Sequence, residues 1–87
     1  MRYTSSFFKR IKKQDVRIRN SFKEAIKLFA KDPNTPELNN HELEREWIGF
    51  RSIDVTSDWR AIFKEVEEGE DRVAYFMAVG THDELYG

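Results

Sequence analysis

Trp59-Arg60-Ala61-Ile62-Phe63-Lys64-Glu65-Val66 is followed by Glu67 to Asp71 around Gly69. The chain then continues as Arg72-Val73-Ala74-Tyr75-Phe76-Met77-Ala78-Val79. These two runs decide the fold. Each is rich in β-branched and aromatic residues, and a short glycine-centred turn separates them, which reads as a β-hairpin. The second run is apolar enough for a central strand covered on one face. Upstream, Trp47-Ile48-Gly49-Phe50-Arg51-Ser52-Ile53-Asp54-Val55 reads as another strand, and Thr56-Ser57-Asp58 supplies turn chemistry before Trp59. Three strands joined by short loops predict an antiparallel meander.

Before the meander the periodicity is helical. Ile18, Phe22, Ala25, Ile26 and Phe29 follow the i, i+3, i+4, i+7 rule and make one apolar stripe. Asp15 opens this helix, and Asp32-Pro33 ends it, since a residue before proline disfavours helical angles. A first helix runs through Phe7-Phe8-Lys9-Arg10-Ile11-Lys12-Lys13, with Ser5 or Ser6 as its cap. Residues 2–7 predict a short edge strand. The expected fold is α+β: one domain over residues 1–87, with two N-terminal helices packed on one face of a twisted antiparallel sheet of three to four strands. The sheet's other face is expected to stay open.

Composition narrows the function classes. Cysteine is absent, so neither disulfides nor thiolate metal sites hold the chain. No apolar run reaches membrane-spanning length and the N-terminus lacks a signal-peptide core, so the expectation is a cytoplasmic chain with no membrane partner. The net charge of −1 hides an asymmetry. Residues 1–31 carry ten basic residues against two acids, and residues 32–87 carry five against fourteen. The basic end, Lys12 and Lys13 included, suits an anionic partner, either RNA or an acidic protein segment.

Four polar residues stand out. His41 lies in the connection before the sheet, Asp54 and Asp58 flank the first hairpin turn, and His82 follows the last strand. Strand directions in a meander bring Asp54, Asp58 and His82 toward one end of the sheet. Imidazole titrates near neutral pH, so a His–Asp cluster there suits acid–base work better than metal binding, for which no ligand spacing is present. Each residue also has an ordinary structural use. Asp58 suits a turn, Asp54 an ion pair with Arg51 or Arg60, His41 a solvated loop, and Asp83 and Glu84 the first turn of a helix.

Four stretches in order carry a family resemblance: Asn40-His41-Glu42-Leu43, Trp47-Ile48-Gly49-Phe50-Arg51, Ser57-Asp58-Trp59-Arg60-Ala61-Ile62-Phe63, and Gly80-Thr81-His82-Asp83-Glu84-Leu85-Tyr86. They resemble the RelE/ParE superfamily of bacterial toxins, most closely its YafQ branch. The resemblance implies a type II toxin that cleaves messenger RNA in the ribosome, with no metal or cofactor, and that a small acidic antitoxin silences. It implies His82 as general acid, with Asp58, His41 or Asp54 as the base or orienting group. Arg51 and Arg60 would meet phosphate, and Tyr86 would stack on a base or anchor the tail. The chain departs from relatives at Asp54, where they carry histidine, and at Ala78-Val79, where many carry arginine. A disarmed toxin fold that binds antitoxin and regulates its operon is therefore the alternative. A gyrase inhibitor is less suited to the histidine-bearing Gly80-Thr81-His82 element.

Overall fold

A computed structural model describes residues 1–87. Its elements are β1 (Arg2–Tyr3), α1 (Ser5–Lys12), α2 (Val16–Lys31), β2 (His41–Glu42), β3 (Arg51–Asp54), β4 (Trp59–Glu68), β5 (Asp71–Thr81) and α3 (His82–Tyr86). Single 3₁₀ turns occupy Pro36–Leu38 and Arg45–Trp47. The expected α+β architecture is present, with more strands than anticipated. The sheet order is β1-β5-β4-β3-β2, and β1 runs parallel to β5 while every other pair is antiparallel. The sheet is thus mixed and five-stranded.

Local chemistry sets the helix boundaries. Thr4, not Ser5 or Ser6, caps α1: its hydroxyl accepts the Phe7 N–H at 3.1 Å. The Asp15 carboxylate accepts the Ile18 N–H at 3.0 Å and opens α2, as its position suggested. Strand β1 is only two residues long because Thr4 turns the chain straight into α1. Both helices bury their apolar side against one face of the sheet. There Phe76 is surrounded by the rings of Tyr3, Phe7, Phe29 and Phe63, with centroids 5.2–5.8 Å away. Close ring packing of this kind adds to the large area each ring removes from water.

One irregularity makes that core possible. Between β4 and β5, Ile62 pairs with Ala78 but Phe63 pairs with Phe76, so Met77 is an extra residue on β5. Strict alternation would put Phe76 and Ala78 on the same face. The bulge turns Phe76 and Val79 inward together and leaves Met77 at the surface. Thr4 fastens the same spot, its N–H donating to the Phe76 carbonyl and its hydroxyl to that of Met77.

Two expectations are corrected. Trp47 to Phe50 is not strand: the chain makes a 3₁₀ turn and passes Gly49 at φ +90°, so β3 begins only at Arg51. The second face of the sheet is not open either. Ser52 and Ile62 face away from the helices, yet neither has exposed surface. The Tyr86 hydroxyl donates to Ser52 Oγ at 3.1 Å, and the Trp47 indole N–H donates to the Leu85 carbonyl at 3.1 Å. The C-terminal segment therefore lies over this face. Past Phe63, β4 has no partner on its β3 side, so Lys64 to Glu68 forms an open strand edge. No helix is long and apolar enough to cross a membrane.

Candidate active site

Strand β5 ends at Thr81 and α3 starts at once. Thr81 and Glu84 form a reciprocal cap: the Thr81 hydroxyl accepts the Glu84 N–H at 3.2 Å, and the Glu84 carboxylate accepts the Thr81 N–H at 2.8 Å. Thr81-x-x-Glu84 is legible as a helix start from sequence alone. His82 is the first residue of the helix, and its N–H donates to the Asp58 carbonyl at 2.9 Å. Its ring packs edge-on to Tyr86, with centroids 4.7 Å apart, and remains more than half exposed. Nδ1 of His82 lies 3.9 Å from an Asp83 carboxylate oxygen.

His82 lines a cleft of about 360 Å³ together with Asn39, His41, Leu43, Arg60 and Tyr86. Strand β2 brings His41 there, since its pairing with Ser52 lays it beside β3. The His41 Nδ1 lies 2.7 Å from the Asn39 carbonyl oxygen. A carbonyl only accepts, so Nδ1 carries the hydrogen, and in the neutral ring Nε2 is left as a free acceptor. Asn39 itself sits at φ 49°, a left-handed conformation that asparagine tolerates.

The remaining predicted residues divide. Arg60 reaches the cleft but is heavily engaged. Its Nε lies 3.0 Å from Asp54, and its terminal nitrogens donate to the carbonyls of Thr56, Ser57 and Trp59. Three of the five guanidinium hydrogens are thus committed to carbonyls, while the contact with Asp54 is an ion pair without hydrogen-bond geometry. Asp54 is thus the partner of Arg60 and does not line the cleft. Asp58 contributes its backbone carbonyl to His82, while its carboxylate is absent from the cleft wall. Arg51 is held by Asn40 at 2.8 Å and by Glu42 at 3.4 Å, and it faces other hollows. Lys12 and Lys13 end α1, away from the cleft lining, with the Lys12 ammonium 5.3 Å from the Phe8 ring. Tyr86 both lines the cleft and anchors the tail through Ser52.

All 87 residues match the family model described as the bacterial toxin of type II toxin–antitoxin system, YafQ. The chain belongs to the YafQ toxin family. It is therefore the toxin component of a type II toxin–antitoxin system. A crystal structure of YafQ from E. coli is similar at 28% identity, with a TM-score of 0.78 over 99% of this chain and 96% of that one. The toxin of the E. coli DinJ–YafQ complex is similar at 26% identity, with a TM-score of 0.70, covering 99% and 96%. The RelB–RelE antitoxin–toxin complex from Methanococcus jannaschii shares the fold, at 16% identity and a TM-score of 0.64 over 99% of this chain and 95% of that one. No curated protein sequence matches.

Sequence reasoning missed two residues around this candidate site. Arg10 of α1 donates to the second oxygen of the Glu84 carboxylate. Residues 74 positions apart leave no local pattern that would pair them. Gly80 lies beside that contact, where an added Cβ would come within 3.3 Å of Glu84 and 3.4 Å of Arg10. Trp47, read as a strand residue, instead holds the Leu85 carbonyl. Glu84, fed by the Thr81 N–H and the Arg10 guanidinium, has its carboxyl drawn down from 4.5 to about 2.

Proposed function

We propose that the chain is a metal-independent endoribonuclease that cuts messenger RNA on the ribosome. The observation that carries this reading is the shared cleft of His41 and His82, with His41 Nε2 left as an acceptor. The chemistry needs a base and an acid on either side of one phosphate. His41 takes the proton of a ribose 2′-hydroxyl, whose oxygen bonds to the adjacent phosphorus. The bond from phosphorus to the 5′-oxygen breaks, and protonated His82 gives that oxygen its proton. The products are a 2′,3′-cyclic phosphate and a 5′-hydroxyl. Arg60 supplies the positive charge nearest the phosphate oxygens. Family resemblance supports the ribosome as the setting, and with it the cytoplasm. It also supports a small acidic antitoxin as partner, since a similar E. coli structure is a DinJ–YafQ toxin–antitoxin complex. Mapping cuts on ribosome-bound messenger RNA with the wild type, His41→Ala and His82→Ala tests the reading. Specific cuts lost in both folded variants support it; cuts unchanged in either variant remove that histidine from the chemistry.

A second reading is favoured by one observation: Asp54 lies against the one cation of the cleft, and three carbonyls absorb most of its hydrogens. On this reading the chain retains antitoxin binding and operon control with little cleavage. A wild type that makes no cuts on ribosomes competent with an active relative, yet binds its antitoxin, would favour it.

A further inference from the structure

We propose that Arg10 is a positioning residue for His82, acting through Glu84. The inference rests on the nuclease reading above and concerns how the histidine is held. Helix α3 has five residues, too few to persist without outside contacts. The Glu84 carboxylate divides its two oxygens: one accepts the Thr81 N–H and closes the cap around His82, and the other accepts the Arg10 guanidinium. Arg10 in turn belongs to α1, whose Phe7 and Ile11 are buried in the core. Its guanidinium also lies 5.8 Å from the centroid of the Trp59 ring. Trp59 directly follows Asp58, whose carbonyl takes the His82 N–H. One arginine thus joins the rigid core to the short helix that carries the acid, and Gly80 leaves room for it.

An exposed ion pair adds little to global stability. Loss of the pair should therefore be read in turnover rather than in unfolding. The test compares the full-length wild type with Arg10→Gln, Arg10→Lys, Glu84→Gln and the double glutamine variant on ribosome-bound messenger RNA. Glutamine at position 84 keeps the cap and removes the charge pair. Each glutamine variant should lower kcat about tenfold, since a small misplacement of an acid is costly. The double variant should be no slower than either alone, because both remove the same tether. Arg10→Lys should recover much of the rate, and the urea midpoint should barely move. An unchanged kcat in both single glutamine variants overturns the proposal. So does an Arg10→Gln defect confined to KM, which would make Arg10 an RNA contact. If the wild type does not cleave at all, the nuclease reading fails and the positioning claim is read by NMR instead. Persistence of the His82–Tyr86 ring contact in Arg10→Gln would then overturn it.

Discussion

The two faces of the sheet are held by different physics. On the helix-covered face, Phe7, Phe29, Phe63 and Phe76 are almost wholly buried and pack ring on ring. That attraction is non-directional, scales with area, and belongs to the whole fold. The C-terminal segment that covers the other face is fastened at points: Trp47 to Leu85, Tyr86 to Ser52 and His82 to Asp58, with Arg10 reaching Glu84 from the helix side. Each such bond contributes little alone and depends on direction. The histidine proposed to do chemistry therefore rides on a segment held by a few directional bonds rather than by the aromatic core.

The contrast can be broken most severely at Phe76. Phe76→Ala should cost about 3–5 kcal/mol of global stability, measured by urea unfolding, because no neighbour can fill the hole left among four rings. A loss near that of a surface substitution would mean that the aromatic face is not the core. His82→Ala should leave the unfolding curve in place and lower cleavage about a hundredfold or more. A variant that unfolds in step with its loss of activity would merge the two faces into one. Trp47→Phe keeps the ring against Phe50 but removes the N–H that holds Leu85, so local opening of residues 82–86 should become easier by about 1 kcal/mol. Amide exchange reads this directly: faster exchange confined to the tail sharpens the contrast, and faster exchange throughout the sheet contradicts it. The smallest effect concerns pH. The folded chain holds the Glu84 carboxyl at about 2, below its ordinary 4.5, so unfolding takes up a proton between those values. The stabilisation from Glu84 is whole above pH 4.5 and fades as the pH falls toward 2. Amide exchange of residues 82–86, compared between wild type and Glu84→Gln, should converge over that window; a gap that stays constant would detach Glu84 from the tail's anchoring.

The same division explains what was legible in the sequence. The stripe from Ile18 to Phe29, the Asp15 cap and the β4–β5 hairpin are local patterns of period 3.6 or 2, and they read directly. Trp47-Ile48-Gly49-Phe50 misled because aromatic and β-branched residues suit a strand, whereas here the indole clamps the tail. Strand β2 is two exposed residues long and carries no periodic signal. The Met77 bulge is equally silent: it appears only once Phe63 and Phe76 compete for one interior. In the candidate site, family motifs pointed to His41, His82, Arg60 and Tyr86, which line one cleft. The same motifs also named Asp54, Asp58 and Arg51, whose side chains are engaged or exposed elsewhere. Motif order says which residues recur in the family, but not whose carboxylate a neighbouring arginine has already taken.

The open edge of β4 has a consequence for the chain in a crowded solution. Lys64 to Glu68 offers unpaired backbone groups to any extended segment that drifts past. Four of those five residues are charged, and three of the four are glutamates. A second copy aligning there would have to strip water from these charges, the glutamates being already paired with Arg2 and Arg72 of their own chain, before its first backbone bond formed. The sheet can thus end in mid-solution without becoming the seed of a fibre.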